Sequence, residues 1–292
     1  MAQEKVLKAG YIAKARAVSG LVKPELPIAA GICVVAGEII ASGSIPPVST
    51  GLLGFSAGFF ISGAAMISND YFDLAVDRVN QPQRPLPSGR LSVPEVMLLI
   101  ALFSIAGFAA AGLISAFALA IAVVMWVVAV LYNWRYKETG LPGNMMVALS
   151  VAMTFICGGV AAGESFNAVL WTFATLAFIF DLGEEIANGA MDMDGDARRS
   201  VQSIARQRGK LYALRISGLL FTLMVVISFL PVVMGWLESV YLVIFVPMGL
   251  AILYFAGKLL ASQTIAEGRR KTRQLYLTMI FFIVSFVAIS AL

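Results

Sequence analysis

Two stretches of the chain carry oxygen ligands at helical spacing. The first runs Asn69-Asp70-Tyr71-Phe72-Asp73-Leu74-Ala75-Val76-Asp77-Arg78. Asn69, Asp73 and Asp77 recur every fourth residue, so a continuous helix stacks them on one face. Groups of this kind destabilise a bare helix when they close on one another, and the pattern makes sense where a cation sits among them. The second runs from Asp181-Leu182-Gly183-Glu184-Glu185-Ile186-Ala187-Asn188 to Asp192-Met193-Asp194-Gly195-Asp196. Asp192 and Asp196 repeat the four-residue spacing, and Asp181, Glu185 and Asn188 fall near the same face one or more turns earlier. Sets made only of oxygen donors suit Mg²⁺ or Ca²⁺ rather than zinc or copper. Mg²⁺ takes one or two protein carboxylates and completes its shell with water and substrate phosphate. Two such half-sites facing each other would hold two metal ions around a diphosphate.

The bases near these acids fit the same chemistry. Arg84 follows the first stretch, and Arg198 and Arg199 follow the second. Guanidinium groups grip phosphate oxygens through a planar fork of donors. Tyr132-Asn133-Trp134-Arg135-Tyr136-Lys137 is placed to lean over the same mouth. The chain has no histidine, which removes the commonest general base and the commonest transition-metal ligand. Chemistry here falls to carboxylates, amides, tyrosines, lysines and arginines, or to bound hard cations. Cys33 and Cys157 lie inside apolar runs and read as small core residues.

The elements that position these residues are read from composition. Of 292 residues 60% are hydrophobic and 13% charged, against about a quarter charged in a soluble protein. The apolar residues come in continuous runs near the ~20 residues a helix needs to cross the hydrocarbon core. Lipid is therefore the solvent of this fold. Runs of this length mean helices rather than barrel strands. Nine spans are expected, near 25–44, 48–69, 94–114, 116–133, 145–163, 167–187, 211–231, 238–258 and 274–291. All 21 Lys and Arg fall at the N-terminus or in segments 70–93, 134–143, 188–215 and 258–273. The turns near 45, 115, 165 and 235 hold none. By the positive-inside rule the N-terminus and the charged loops are cytoplasmic and the C-terminus is outside. The net charge of +4 then reflects topology and anionic-lipid contact, not nucleic-acid binding. The N-terminal residues show no small-residue cleavage site, so no removable signal peptide is expected. Glu38, inside the first span, is expected near the outer surface and outside the site.

Spans one to four and five to eight repeat a plan: the second helix of each set runs into an acid-rich loop and the fourth into a basic one. The chain therefore reads as one all-α membrane domain over 1–292, with two four-helix pseudo-repeats and a final helix. Duplicated halves with buried acids also suit an ion-coupled transporter, whose sites lie near mid-bilayer. Here the acids gather at the cytoplasmic face, which favours an enzyme.

The run Asn69–Gly89, NDYFDLAVDRVNQPQRPLPSG, resembles the first signature of the UbiA superfamily of intramembrane prenyltransferases, NDxxDxxxD followed by Pro-x-Arg-Pro-x-Pro-Ser-Gly. Asp192-x-x-x-Asp196 resembles the second. The segment YNWRYKETGLPGN, with Tyr132, Lys137 and Asn144, is similar to the family's stretch after the fourth helix. The resemblance covers nearly the whole chain. It implies that Asn69 and Asp73 hold one Mg²⁺ and that Asp192 and Asp196 hold the other. It implies that Asp77, Arg84 and Lys137 bind or ionise a diphosphate, with Arg198, Tyr132 and Asn144 beside them. The implied reaction is transfer of a prenyl group, geranylgeranyl by this reading, from its diphosphate to a membrane-associated, lipid-like acceptor. For an alcohol acceptor, Asp70 or Glu185 is a candidate to take the proton.

The sequence departs from the family pattern at Ser200 and Gln202, which are followed by Ser203, and a Gln-Ser pair there resembles the chlorophyll-synthase branch. The archaeal ether-lipid branch carries Arg-Glu-Ile and an extra acid in the preceding helix, where this chain has Glu184-Glu185-Ile186 and Gly189. The tract Val147–Gly163 and the Asn69–Asp73 run are similar to the ether-lipid branch. The expected acceptor is accordingly geranylgeranylglyceryl phosphate, with an aromatic or tetrapyrrole acceptor as the alternative.

Overall fold

The computed structural model describes residues 13–193 and 201–290, which form helices and short connections with no strand among them. After a helical segment at 13–22 come α1 (Glu25–Ser42), α2 (Val48–Phe72), α3 (Leu74–Asn80), α4 (Val93–Ile114) and α5 (Ala116–Leu131). A π-helical turn, Tyr132–Tyr136, leads to α6 (Leu141–Ala161) and α7 (Ala168–Met191). Then follow α8 (Ile204–Arg208), α9 (Lys210–Ser228), α10 (Leu230–Val233), α11 (Leu242–Leu260) and α12 (Ile265–Ser290).

Eight helices among the described residues are long and apolar enough to cross a membrane. The span expected at 167–187 folds as α7, a 24-residue helix, but Asp181, Glu184 and Glu185 keep it out of that set. Its surroundings differ accordingly. α6, α8, α9 and α12 all pack on α7, and most of its side chains are buried. Protein covers most of it, which is how carboxylates are tolerated on a helix set among apolar spans. The multiple apolar helices make the chain an integral membrane protein. Leu98, Leu102, Ile105 and Leu113 of α4 point outward and exposed, a cost in water and none in acyl chains.

The chain packs as two compact units. The first comprises residues up to Cys33 together with Ser49–Trp134. Its helices meet through small residues. Phe103 of α4 sits where a side chain on Gly63 of α2 would go, and Ile61 of α2 sits against Gly107 of α4. Lipid gives no hydrophobic drive for helix association, so such reciprocal close packing supplies it. α4 starts at Ser92, whose N–H and hydroxyl both donate to Glu95 at 2.9 Å; Lys14 pairs with the same carboxylate. Ala17, Leu21 and Val22 form a small core with Ile67, Leu86, Leu91 and Val96, which anchors the loop after the first acidic stretch.

The second unit comprises Val34–Val48 and Arg135 onward. Here α1 crosses α6 at glycines. A Cβ on Gly37 would overlap the Phe155 carbonyl oxygen, and one on Gly158 would overlap that of Val34. Asn167 caps α7, its Oδ1 accepting from Val169 and Leu170 N–H at 2.9 and 3.1 Å, while its Nδ2 donates to the Ala41 carbonyl at 3.0 Å. Phe173, Phe245, Phe282 and Phe286 stack between α7, α11 and α12, with ring centroids 4.4–5.5 Å apart along Phe286–Phe173–Phe282–Phe245.

Candidate active site

In the first unit the acidic face is built by one unbroken ladder. The N–H of Asp73 donates to the Asn69 carbonyl at 2.9 Å, Asp77 to Asp73 at 2.8 Å, and Gln81 to Asp77 at 2.8 Å. Asp73, at φ −80° and ψ −2°, joins α2 to α3 without losing the four-residue register. Asn69 and Asp73 are half-buried on this face. The amide of Asn69 is oriented by its neighbour, Nδ2 donating to Asn133 Oδ1 at 2.9 Å. Asn133 in turn donates to the Ala65 carbonyl at 3.2 Å. The nitrogen end of Asn69 thus donates to protein, and the carbonyl oxygen is the end of an amide whose chemistry suits a hard cation.

Asp77 does not share this environment. It is buried beneath Arg84, whose Nη1 donates to Asp77 Oδ2 at 2.6 Å and approaches Asp70 Oδ1 at 3.5 Å. Lys23 donates to the same Asp70 oxygen at 2.7 Å. Lys23 has φ +50°, an unusual backbone for a non-glycine residue, at the junction between the 13–22 segment and α1. Asp70 is therefore held by two cations, which argues against its use as a proton acceptor. The proline-rich loop makes this arrangement possible. Arg84 N–H donates to Gln81 O at 3.0 Å and Leu91 N–H to Pro85 O at 3.1 Å, and burial of Leu86 and Leu91 pins the loop back over Asp77. Tyr132, in the same unit, opens the π-helical turn, a rare local geometry that recurs at functional positions.

In the second unit Asp192 closes α7, its N–H donating to Asn188 O at 3.0 Å. Its side chain is exposed and paired with Arg269 of α12. Glu185 lies two turns earlier, half-buried, with Glu184 and Asp181 on the same helix; Asp181 Oδ2 is buried without a hydrogen-bond partner. Lys137 follows the π-helical turn, and Asn144 lies in the first turn of α6, its N–H donating to Gly140 O at 3.0 Å. Asp196, Arg198 and Arg199 lie outside the described residues.

No three carboxylates or cysteines among the described residues converge as a metal cage. The oxygen-only pair Asn69 and Asp73 fits the sparser coordination of Mg²⁺, which leaves positions to water and phosphate. Asp192 offers the same donor type in the second unit. Three residues of these surroundings do not stand out in the sequence. Asn133 carries no signal in the sequence beyond its place in a helix-end segment. Lys23 and Arg269 look in the sequence like topological charges, and only three-dimensional contact distinguishes them from the other bases.

These features define an all-helical membrane enzyme with oxygen-ligand sets suited to hard cations and bases suited to phosphate. The chain belongs to the UbiA prenyltransferase family, which it matches over residues 30–290, and it is a prenyltransferase. It is 31% identical over 271 residues to the digeranylgeranylglyceryl phosphate synthase of Thermococcus kodakarensis, covering 92% of this chain and 96% of that protein. A solved structure from work on digeranylgeranylglyceryl phosphate synthase in membranes superposes with a TM-score of 0.82 at 27% identity, covering 95% of this chain and 98% of that one. A UbiA homologue from Archaeoglobus fulgidus, solved with DMAPP and Mg²⁺ bound, shares the fold at 17% identity and TM-score 0.62, covering 91% of this chain and 86% of that one.

Proposed function

We propose that the enzyme transfers a geranylgeranyl group from geranylgeranyl diphosphate to the glycerol hydroxyl of geranylgeranylglyceryl phosphate, in ether-lipid synthesis. The observation that carries this reading is the near full-length similarity to the Thermococcus kodakarensis synthase. The Asn69–Asp73–Asp77 ladder adds the chemistry the reaction needs.

In this reading Asn69 and Asp73 hold one Mg²⁺, and Asp192 with Asp196 holds a second. Bound there, the ions neutralise the diphosphate and make it a better leaving group. Arg84 and Lys137 bind diphosphate oxygens, and Asp77 fixes the direction of Arg84. Asn144, Tyr132 and Arg198 complete the polar surroundings. The bond between the allylic carbon and the diphosphate oxygen breaks, its electron pair leaving with the diphosphate. The acceptor oxygen forms the new bond to that carbon. Its proton passes to Glu185, the half-buried carboxylate two turns before Asp192. Apolar walls exclude water, which would otherwise capture the allylic cation as an alcohol.

Nine membrane-spanning helices, α7 included, form one catalytic domain over 1–292 in this reading, with two four-helix pseudo-repeats and a final helix. The N-terminus and the acidic segments face the cytoplasm and the C-terminus faces outside, following the distribution of Lys and Arg.

The test is a transfer assay in detergent with labelled geranylgeranyl diphosphate, with and without Mg²⁺. Geranylgeranylglyceryl phosphate is offered beside a panel of aromatic acids, quinols and a chlorophyllide. Label in the glycerol ether, and only with Mg²⁺, is the expected result. Label in an aromatic or tetrapyrrole product replaces the acceptor.

A further inference from the structure

Two segments of the second unit, separated by more than sixty residues in sequence, are joined through their main chains. The N–H of Gln202 donates to the Glu138 carbonyl at 2.8 Å. The Gln202 carbonyl accepts from Gln207 Nε2 at 3.0 Å, and Gly140 lies directly against it. A Cβ on Gly140 would come within 2.7 Å of the Gln202 carbonyl carbon and overlap its oxygen. Gly140 also has φ +74° and ψ −116°, a conformation glycine adopts without strain. Position 140 is therefore restricted to glycine twice over, by its own backbone and by its neighbour's.

Each side of this clasp is tied to its neighbours. On one side, Thr139 folds back on Tyr136, its N–H and Oγ1 both donating to the Tyr136 carbonyl at 3.0 and 2.7 Å. That closes a tight turn around Lys137. The chain then enters α6 through the Asn144 to Gly140 hydrogen bond. On the other side, Ser203 is buried against α7, and its Cβ lies 3.5 Å from where a Cβ on Gly189 would stand. Gly189 is three residues, about one turn, before Asp192. The link thus runs from Lys137 through Glu138 and Gln202 to Ser203, Gly189 and the end of α7 that carries Asp192.

We propose that the Gly140–Gln202 clasp is a positioning device that sets Lys137 relative to Asp192, so that base and acid meet the diphosphate in one fixed arrangement. The inference rests on the reading of Lys137 as a diphosphate-binding residue. Gly140 and Gln202 touch no substrate; they act through Lys137. A displacement of about 1 Å at a reacting group costs on the order of a hundredfold in rate, so a modest slip of this clasp is felt in turnover.

The experiment is a double-mutant cycle on the full-length enzyme in detergent, reading kcat with labelled geranylgeranyl diphosphate and thermal unfolding in parallel. Gly140→Ala forces the clasp apart. Gln202→Pro removes its N–H donor and serves where Gly140→Ala folds poorly. Gly163→Ala is the control for backbone strain alone, because Gly163 has φ +79° and nothing within 4 Å of its Cβ position. Gly140→Ala and Gln202→Pro are expected to lower kcat by about a hundredfold, while Gly163→Ala stays close to the parent. On a Lys137→Ala background, neither clasp variant is expected to lower kcat appreciably further. Losses that multiply with that of Lys137→Ala overturn the proposal, since they show the clasp acting independently of Lys137. Full turnover by Lys137→Ala alone overturns the reading of Lys137 and, with it, the clasp's role. A deleterious Lys137→Ala beside clasp variants of parental kcat removes the clasp and leaves Lys137 standing.

Discussion

Arg84 donates to Asp77 Oδ2 at 2.6 Å, and Asp77 is only 1% exposed, with its Oδ1 lacking any hydrogen-bond partner. The third member of the four-residue series is therefore spent on a guanidinium inside the protein. Breaking an ion pair by removing one buried partner costs about 3–5 kcal/mol. The Arg84 side chain is 24% exposed, which puts Asp77→Ala near the lower end, at about 3 kcal/mol. Thermal unfolding in detergent should register that loss. The KM for prenyl diphosphate should rise as well, because Arg84 loses its direction. A variant with parental melting temperature and KM would show the pair to be incidental.

Asp73 and Asp192 differ from Asp77 in being accessible at helix ends. If Asp73 and Asp192 hold Mg²⁺ as proposed, Asp73→Ala or Asp192→Ala should abolish transfer, and raising Mg²⁺ should not restore it, because each change would delete a ligand atom rather than weaken a contact. The scaffold should survive both, since neither side chain is buried. Parental turnover by either variant at ordinary Mg²⁺ would remove that acid from the metal-binding account.

The membrane class and the first acidic face were legible in the sequence because both are periodic and local. Apolar runs of span length and a strict four-residue repeat need no tertiary information, and the Asn69–Asp73–Asp77–Gln81 hydrogen-bond ladder realises that repeat directly. What periodicity could not reveal is which members of the repeat are enclosed. Asp77 is covered only because the Pro82–Gly89 loop folds back and buries Leu86, and that is a tertiary event. Lys23 and Arg269 were hidden for the same reason. A base that pairs across sequence distances of 47 or 77 residues looks like any other topological charge. The apolar run at 167–187 marks a helix, but its enclosure by α6, α8, α9 and α12 depends on partners far away in the chain.

Glu185 provides a second test of the chemistry. If it takes the acceptor's proton, Glu185→Gln leaves diphosphate binding intact and impairs only the bond-forming half of the reaction. Transfer to geranylgeranylglyceryl phosphate should fall by about 10²–10⁴-fold, with the KM for the prenyl donor little changed. A proportionate rise in donor KM would assign Glu185 to diphosphate binding instead.

Gly37 and Gly158 carry the crossing of α1 and α6, where each would drive a Cβ into a main-chain carbonyl of the other helix. Backbone atoms cannot rotate away as a side chain can. Gly37→Ala should therefore destabilise by more than the typical 1 kcal/mol of a point substitution, on the order of 3 kcal/mol. Gly257→Ala, in α11 with nothing within 4 Å, should be neutral or slightly stabilising, since alanine is the better helix former. Equal melting temperatures for the two variants would mean the crossing is looser than its glycines imply.

Arg269 pairs with Asp192 where both side chains are well exposed, at 63% and 52%. Exposed pairs contribute roughly 0–1 kcal/mol to stability, so Arg269→Ala should melt within about two degrees of the parent. If Asp192 holds a metal ion as proposed, the effect should appear in metal affinity instead. While Arg269 occupies Asp192, a cation has to displace it before the carboxylate is available, and the guanidinium also repels the incoming charge. Removing Arg269 should therefore lower the Mg²⁺ concentration needed for half-maximal transfer, and the difference should shrink as ionic strength rises and screens the pair. A Mg²⁺ requirement that increases on removal would reverse this assignment: Arg269 would then be stabilising the metal-bound state, by contacting the diphosphate that the metal holds.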